Sequence, residues 1–270
     1  MLSIHTNTAA LRAQSALNSS TSSLSQATQR LSTGMRINSA KDDAAGLAIS
    51  SRMEAQVRGM QVAARNTNDA ISLVQTAEGT MGTGSNILQK MRELSVQAAN
   101  GAMTDADRGN LDKEYQALAS ELTDMYSKAN FNGKKILGAD AGSFAFQTGA
   151  NSGDTLTVTT VAGSTLFAAA GDLTSAANAT TAIGALDTAI TATATARSDL
   201  GAVMNRLDYV AENLNISITN TSDAKSRIID ADYATEVGKL SKAQILQQAG
   251  SAMLAQANQS PQLILSLLRG

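Results

Sequence analysis

The sequence predicts a mainly α fold: an elongated helical bundle or coiled coil, with a small β-hairpin region in the middle of the chain and the N- and C-termini paired. Three observations predict it. Apolar and small residues recur three and four positions apart over long stretches, the spacing that keeps one helix face against a partner. Two flanks of similar composition, rich in Ala, Gln, Ser, Met and Leu, enclose a dissimilar centre. That centre, Gly138 to Ala196, has no Lys, Arg or Glu and only four Asp. Pro occurs once in 270 residues, and aromatic residues make up 3%. Matching flanks imply ends that pack together and a centre placed at the periphery.

The elements follow in order. Ile4 and Leu11 are seven apart, as are Leu17, Leu24 and Leu31, so the N-terminal segment is an amphipathic helix too short to be stable unpaired. Val57, Met60, Ala64, Thr67, Ile71 and Val74 form a seam that continues through Met81 and Leu88, interrupted at Glu78 and Ser85. Asp42 or Asp43 is placed to cap its start, and Gly101 follows its end. From Ala44 to Ala99 such a helix is on the order of 80 Å long and needs partners along its whole length. A second helix opens at Thr104, where Asp107 completes a variant capping box. It carries Leu111, Tyr115, Leu118, Leu122 and Met125 and stops at the Asn130–Gly133 turn signal. Phe144-Ala-Phe146 and Leu156–Val161 flank a Gly-rich loop and read as a hairpin over about 143–161. The weakly patterned Ala/Thr/Gly stretch at about 162–182 reads as an exposed variable loop or a few short elements. A third long helix carries Leu200, Val203, Leu207, Val210 and Leu214. At the C-terminus Leu246 and Met253 are seven apart, Leu240 and Leu254 fourteen, and Leu263 to Leu268 follow. The domain division is then 1–42 and 236–270 as two halves of a terminal coiled coil, with 43–235 as a rod between them.

Composition removes several classes of function. With no Cys and a single His, His5, there is no thiol nucleophile, no disulfide framework and no metal site needing two histidines. His5 reads as a solvent-facing or interface residue. A net charge of −2 argues against a nucleic-acid binder that works by counterion release. No run of roughly eighteen apolar residues exists to cross a membrane, and Met1–Ala10 lacks the basic and apolar regions of a secretory signal. Gly79-Thr-Met-Gly82-Thr-Gly84 lacks the preceding strand and the Lys-Ser/Thr ending of a phosphate loop and reads as small residues at a tight helix contact or a bend. Asp42–Asp43 and the Asp230, Asp232 pair read as caps and solvated turns. The residues therefore point to no catalytic site, no cofactor and no metal.

Several blocks then resemble the bacterial flagellins. Gln29-Arg-Leu-Ser-Thr-Gly-Met-Arg-Ile-Asn-Ser-Ala-Lys-Asp-Asp-Ala-Ala-Gly-Leu-Ala-Ile49 is similar to that family's most recognisable stretch. So are Leu88-Gln-Lys-Met-Arg-Glu-Leu-Ser-Val-Gln-Ala-Ala-Asn-Gly101 and Phe131-Asn-Gly133. C-terminal matches are Asp230-Ala-Asp-Tyr-Ala-Thr-Glu236, Ser241–Gly250 and Leu254-Ala-Gln-Ala-Asn-Gln259. The resemblance covers about Met1–Thr160 and Arg197–Gly270.

What the resemblance implies is a structural, non-enzymatic subunit. It polymerises into a flagellar filament for motility, leaves by the flagellar type III route without a cleaved signal, and has a shortened centre with little or no projecting domain. The implied partners are other copies of itself, a flagellar export chaperone, cap and junction proteins, and host flagellin-sensing receptors. Neither nucleic acid nor membrane is among them, and the implied location is the extracellular filament. An animal Toll-like receptor epitope is carried over to Gln89, Lys90, Arg92, Leu94, Gln97 and Glu114. Lys90 stands where strongly stimulating relatives carry Arg, a point charge in place of a planar fork. A plant receptor epitope maps to Arg30, Leu31, Arg36, Ile37, Asn38, Lys41, Asp42, Asp43, Gly46 and Leu47. Polymerisation residues are Ile4, Leu11, Leu17, Leu24, Leu31, Leu246, Met253, Leu254, Leu263 and Leu267. The alternatives are a hook–filament junction protein of the same superfamily and a cytoplasmic coiled-coil signalling rod. The undiminished Lys41–Gly46 block and the Ala-Gln-Ala-Asn-Gln ending favour flagellin over the first. The second predicts neither polymerisation nor export.

Overall fold

The computed structural model describes residues 6–168 and 171–269, of which 260–269 are described as backbone only. In chain order the elements are α1 Thr8–Thr33, α2 Ala44–Ala98, α3 Asp105–Lys128, β1 Asn130–Phe131, β2 Lys134–Lys135, β3 Ser143–Gln147, β4 Thr155–Thr159, α4 Gly163–Leu166, α5 Ala176–Ile229 and α6 Tyr233–Arg269. Two compact units result. One is central, Gln56–Thr219; the other joins the chain up to Ala55 with Asn220 onward.

In the central unit the seam residues meet as their spacing predicts. Val74, Met81, Leu88 and Met91 of α2, Tyr115 and Leu122 of α3, and Leu186, Leu200 and Leu207 of α5 are fully buried in one core. The interruption of the α2 seam at Glu78 has a structural reason. Glu78 accepts two hydrogen bonds from the Arg197 guanidinium on α5, at 3.1 and 2.6 Å. The glycines above it make room: the Arg197 guanidinium lies over Gly82, and the Tyr126 phenol occupies the space a side chain at Gly84 would fill. Within the Gly79–Gly84 run, Gly82 and Gly84 face side chains of neighbouring helices and Gly79 does not. Gly84→Ala is expected to destabilise this unit by about 1–3 kcal/mol through overpacking against Tyr126. Gly79→Ala, where nothing lies within reach of the new methyl, should instead gain up to about 1 kcal/mol of helix propensity. Denaturant titration of the two variants reads the difference in sign.

The α2–α3 corner is held by a buried residue the sequence did not single out. Arg108 donates from Nε to Ala98 O at 2.9 Å and from Nη2 to Asn100 O at 3.0 Å, satisfying carbonyls at the end of α2. Thr104 opens α3 with the expected reciprocal capping box to Asp107. The turn at Asn130–Gly133 is a two-residue hairpin joining β1 and β2, with both central residues at positive φ.

The larger hairpin pairs Ser143 with Thr159 through Gln147 with Thr155. Leu156 and Val158 are buried while Thr155, Thr157 and Thr159 are exposed, the two-residue alternation of a half-buried strand. Asn66 Nδ2 on α2 donates to Gln147 O at 3.0 Å and fixes the hairpin's end.

The segment 162–182 departs from an exposed loop. After α4 the chain buries Phe167 and Leu173. The Leu173 amide donates to Asp112 Oδ1 at 2.8 Å, which pins it to α3. From Ala176 onward it is already α5, with Ala179 and Ala182 buried. Alanine has the best helix propensity and needs no long side chain to pack closely, so a weak hydrophobic pattern conceals a strong helix. Along this stretch the hydroxyls of Thr180, Thr181, Thr188, Thr191 and Thr195 donate to carbonyls one turn back, at 2.8–3.1 Å.

In the terminal unit α1 and α6 run antiparallel. Asn7 Nδ2 donates to Ala257 O at 2.7 Å, Leu17 packs over Gly250, and Arg30 Nη1 meets Glu236 Oε1 at 3.2 Å. The two ends of the chain are thus paired with each other.

Candidate assembly and recognition surfaces

The turn between α1 and α2 is held by main-chain bonds to the α5–α6 junction and by side-chain bonds of its own. Gly34, at φ 70, ends α1. Met35 bridges Asp230, the Arg36 amide donates to Ile229 O at 2.6 Å, and the Ala231 amide donates to Gly34 O at 3.0 Å. Arg36 adds a side-chain bond to Ile228 O at 2.7 Å. Asp42 Oδ2 then accepts the amides of Asn38 and Ser39 and the Ser39 hydroxyl; the Asn38 amide first and the Ser39 hydroxyl next hold its carboxyl below the usual range. Asp43 caps α2 through Gly46 N at 2.8 Å, so the second of the two candidate caps does the work. Gly46 is required here because Asp43 and Ile37 fill the place of any side chain.

These contacts sort the residues to which the resemblance carries a plant receptor epitope. Lys41 and Asp42 are exposed, as is Arg36; Leu31, Asn38, Asp43 and Leu47 are half-buried; Ile37 and Gly46 are buried. Arg30 is engaged with Glu236. The structure therefore gathers all ten in one corner, but only part of the set presents a side chain to solvent.

Glu236 is a buried carboxylate in this unit. It accepts from Lys239 Nζ at 2.7 Å as well as from Arg30. The Lys239 bond, followed by its charge and by Arg30, holds the carboxyl below the usual range against the opposing effect of burial. A folded-state value below the unfolded one makes this stabilisation complete above the ordinary glutamate range and lost as pH falls through the depressed value. Acid titration followed by helical circular dichroism should show α1–α6 pairing weakening in that window. Glu236→Gln should make the acid limb shallower; an unchanged limb would remove Glu236 from the account.

The residues expected to carry polymerisation divide likewise. Leu11 and Met253 are 59% and 64% exposed, and Leu246 is exposed too. Leu17, Leu24, Leu31 and Leu254 are half-buried in the α1–α6 contact. Ile4 and the side chains of Leu263 and Leu267 lie outside the described residues, as does His5. Two further exposed apolar residues on α6, Val237 and Ile245, escaped the sequence reading because they fall between the seven-spaced positions.

On the central unit, Gln89, Lys90, Gln97 and Glu114 are exposed. Lys90 pairs with Glu93 at 3.2 Å, and Arg92 is bound by Asp187 of α5. Leu94 is only 4% exposed and belongs to the core. It supports this face from beneath and is not presented on it. Among the described residues no helix is long and apolar enough to cross a membrane.

Residues 4–142 match the bacterial flagellin N-terminal helical region, and residues 183–268 match the bacterial flagellin C-terminal helical region. A flagellin of Halalkalibacterium halodurans is 45% identical over 90% of this chain and 91% of its own. The flagellin of Bacillus subtilis is 39% identical over 98% and 99%. Among solved structures, Bacillus cereus flagellin superposes with a TM-score of 0.53 at 39% identity, covering 56% of this chain and 88% of that one. A putative flagellar hook-associated protein from Vibrio parahaemolyticus gives 0.60 at 14% identity over 70% and 100%, a likeness of fold alone.

Proposed function

The chain belongs to the bacterial flagellin family, and from that premise we propose that, as a structural subunit of the flagellar filament, it joins its neighbours chiefly through the α1–α6 pair. The observation that carries this is the apolar surface the pair leaves uncovered. Leu11, Val237, Ile245, Leu246 and Met253 remain exposed after the two helices have packed on each other. A two-helix contact covers one face of each helix; further copies cover the rest. Segments 1–42 and 236–270 then act as the assembling halves and 43–235 as the rod they carry. Polymerisation also supplies folding free energy to marginal terminal helices, because assembly is linked to the folded state.

The remaining parts of the reading rest on family membership. The subunit is exported by the flagellar type III route in the care of an export chaperone, meets cap and junction proteins, and works outside the cell without catalysing a reaction. Host receptors read two of its surfaces: the exposed residues around Gln89, Lys90, Gln97 and Glu114, and the α1–α2 corner from Arg30 to Leu47. The relatives at 39–45% identity are named flagellins, which favours a filament subunit over a junction protein. Negative-stain microscopy of concentrated protein seeded with filament fragments tests the central claim. Growing filaments are the expected result, with terminal segments that resist protease only after assembly; seeded protein that stays monomeric would overturn it.

A further inference from the structure

Two Asn-Gly pairs lie exposed in turns: Asn100-Gly101 between α2 and α3, and Asn132-Gly133 between β1 and β2. An asparagine followed by glycine can convert itself to an acid when the glycine's backbone nitrogen attacks the asparagine Cγ. The two sites present that chemistry in opposite states.

At Asn100 the reacting groups are arranged for it. Asn100 Oδ1 accepts the Ala102 amide at 3.0 Å. This bond folds the side chain over the peptide that follows and polarises its carbonyl toward attack. Among the described residues no acceptor engages the Gly101 amide, and the space beside Gly101 is open. At Asn132 the nucleophile is occupied: the Gly133 amide donates to Asn130 Oδ1 at 2.9 Å. The Asn132 backbone is also fixed at φ 49 by the tight turn.

We infer that Asn100 is a site of spontaneous self-modification, converting to aspartate and isoaspartate in the folded protein, and that Asn132 is protected. In the reaction Gly101 N loses its proton and bonds to Cγ, and the Cγ–Nδ2 bond breaks to release ammonia. The cyclic imide left behind is opened by water. Water attacking Cγ breaks the new Cγ–N bond and gives aspartate with the normal main chain; water attacking the main-chain carbonyl breaks the original peptide C–N bond and gives isoaspartate, its chain now running through Cγ. The balance is asparagine plus water giving acid plus ammonia. Either product places a new negative charge at the C-terminal end of α2, unfavourable to the helix dipole there. The isoaspartyl product also lengthens the main chain by a methylene in the corner that Arg108 fastens. The product accumulates with time and rises with alkalinity, so the corner carries a record of the subunit's age.

The experiment is peptide mapping by mass spectrometry of the intact folded chain, incubated in mildly alkaline buffer and sampled over time. Acid at Asn100 is expected to accumulate at least about fivefold faster than at Asn132, the factor a single withheld hydrogen bond supplies. In chemically unfolded chain the two rates should converge, because the bonds that distinguish them are gone. Gly101→Ala should slow the Asn100 reaction in folded protein, since a methyl crowds the attacking nitrogen. Equal rates in the folded chain, faster loss at Asn132, or a difference that persists on unfolding each overturn the inference. The folded and unfolded comparison uses the unaltered chain, so it stands whatever the variant does to the fold.

Discussion

A chain lacking residues 246–270 is expected to form no filaments while its central unit stays folded. The deletion removes Gly250, on which Leu17 packs, and Ala257, whose carbonyl holds Asn7. It also removes exposed Leu246 and Met253. The 26 residues of α1 lose most of their partner, and a helix of that length with many Ser and Thr residues is marginal in water. Helical signal should fall by more than the deleted residues account for, and seeded growth should cease. The core of the central unit draws on none of these side chains, so its unfolding transition should persist. Filaments of normal length from the truncated chain would refute assembly through α1 and α6.

Leu94→Asp is expected to abolish both polymerisation and receptor signalling, through the fold. Truncating a buried Leu alone costs about 2–5 kcal/mol, and a carboxylate left without a partner in that space adds to it. A loss of roughly 4 kcal/mol or more places the variant among the most damaging single substitutions. Thermal unfolding should register it before any binding assay does. Gln89→Ala and Lys90→Ala, on the exposed side of the same helix, should leave stability within about 0.5 kcal/mol, and receptor signalling by these two is the cleaner measure of the recognition surface. A Leu94→Asp protein that melts normally and still signals would contradict its place in the core.

The long seams were legible because they are periodic. Val57, Met60, Thr67, Val74, Met81 and Leu88 are all buried, and the period that predicts burial is a property of sequence alone. Capping at Thr104 and the β3–β4 hairpin were legible because each rests on local chemistry. The early start of α5 was not, since Ala and Thr give almost no apolar contrast from one face to the other. Nor was the role of Arg108, a charged residue with no periodic signal, placed by a fold whose α2 end needed a donor. For the candidate surfaces, sequence resemblance located the segments but not the exposure of each side chain. Leu94 and Ile37 look like their neighbours in sequence, and only packing separates them from Lys90 and Lys41.

The threonine rows of α5 change what its composition means. Each hydroxyl that donates to a carbonyl one turn back has its donor already satisfied, and a neighbour meets chiefly the methyl. A face counted as polar thus offers methyls and acceptor oxygens but no free hydroxyl donor. Two surfaces of that kind can slide by small steps at little cost, because neither has a free hydroxyl donor with which to bond the other's acceptors. Helices finished in this way favour contacts that tolerate a change of register over contacts that lock.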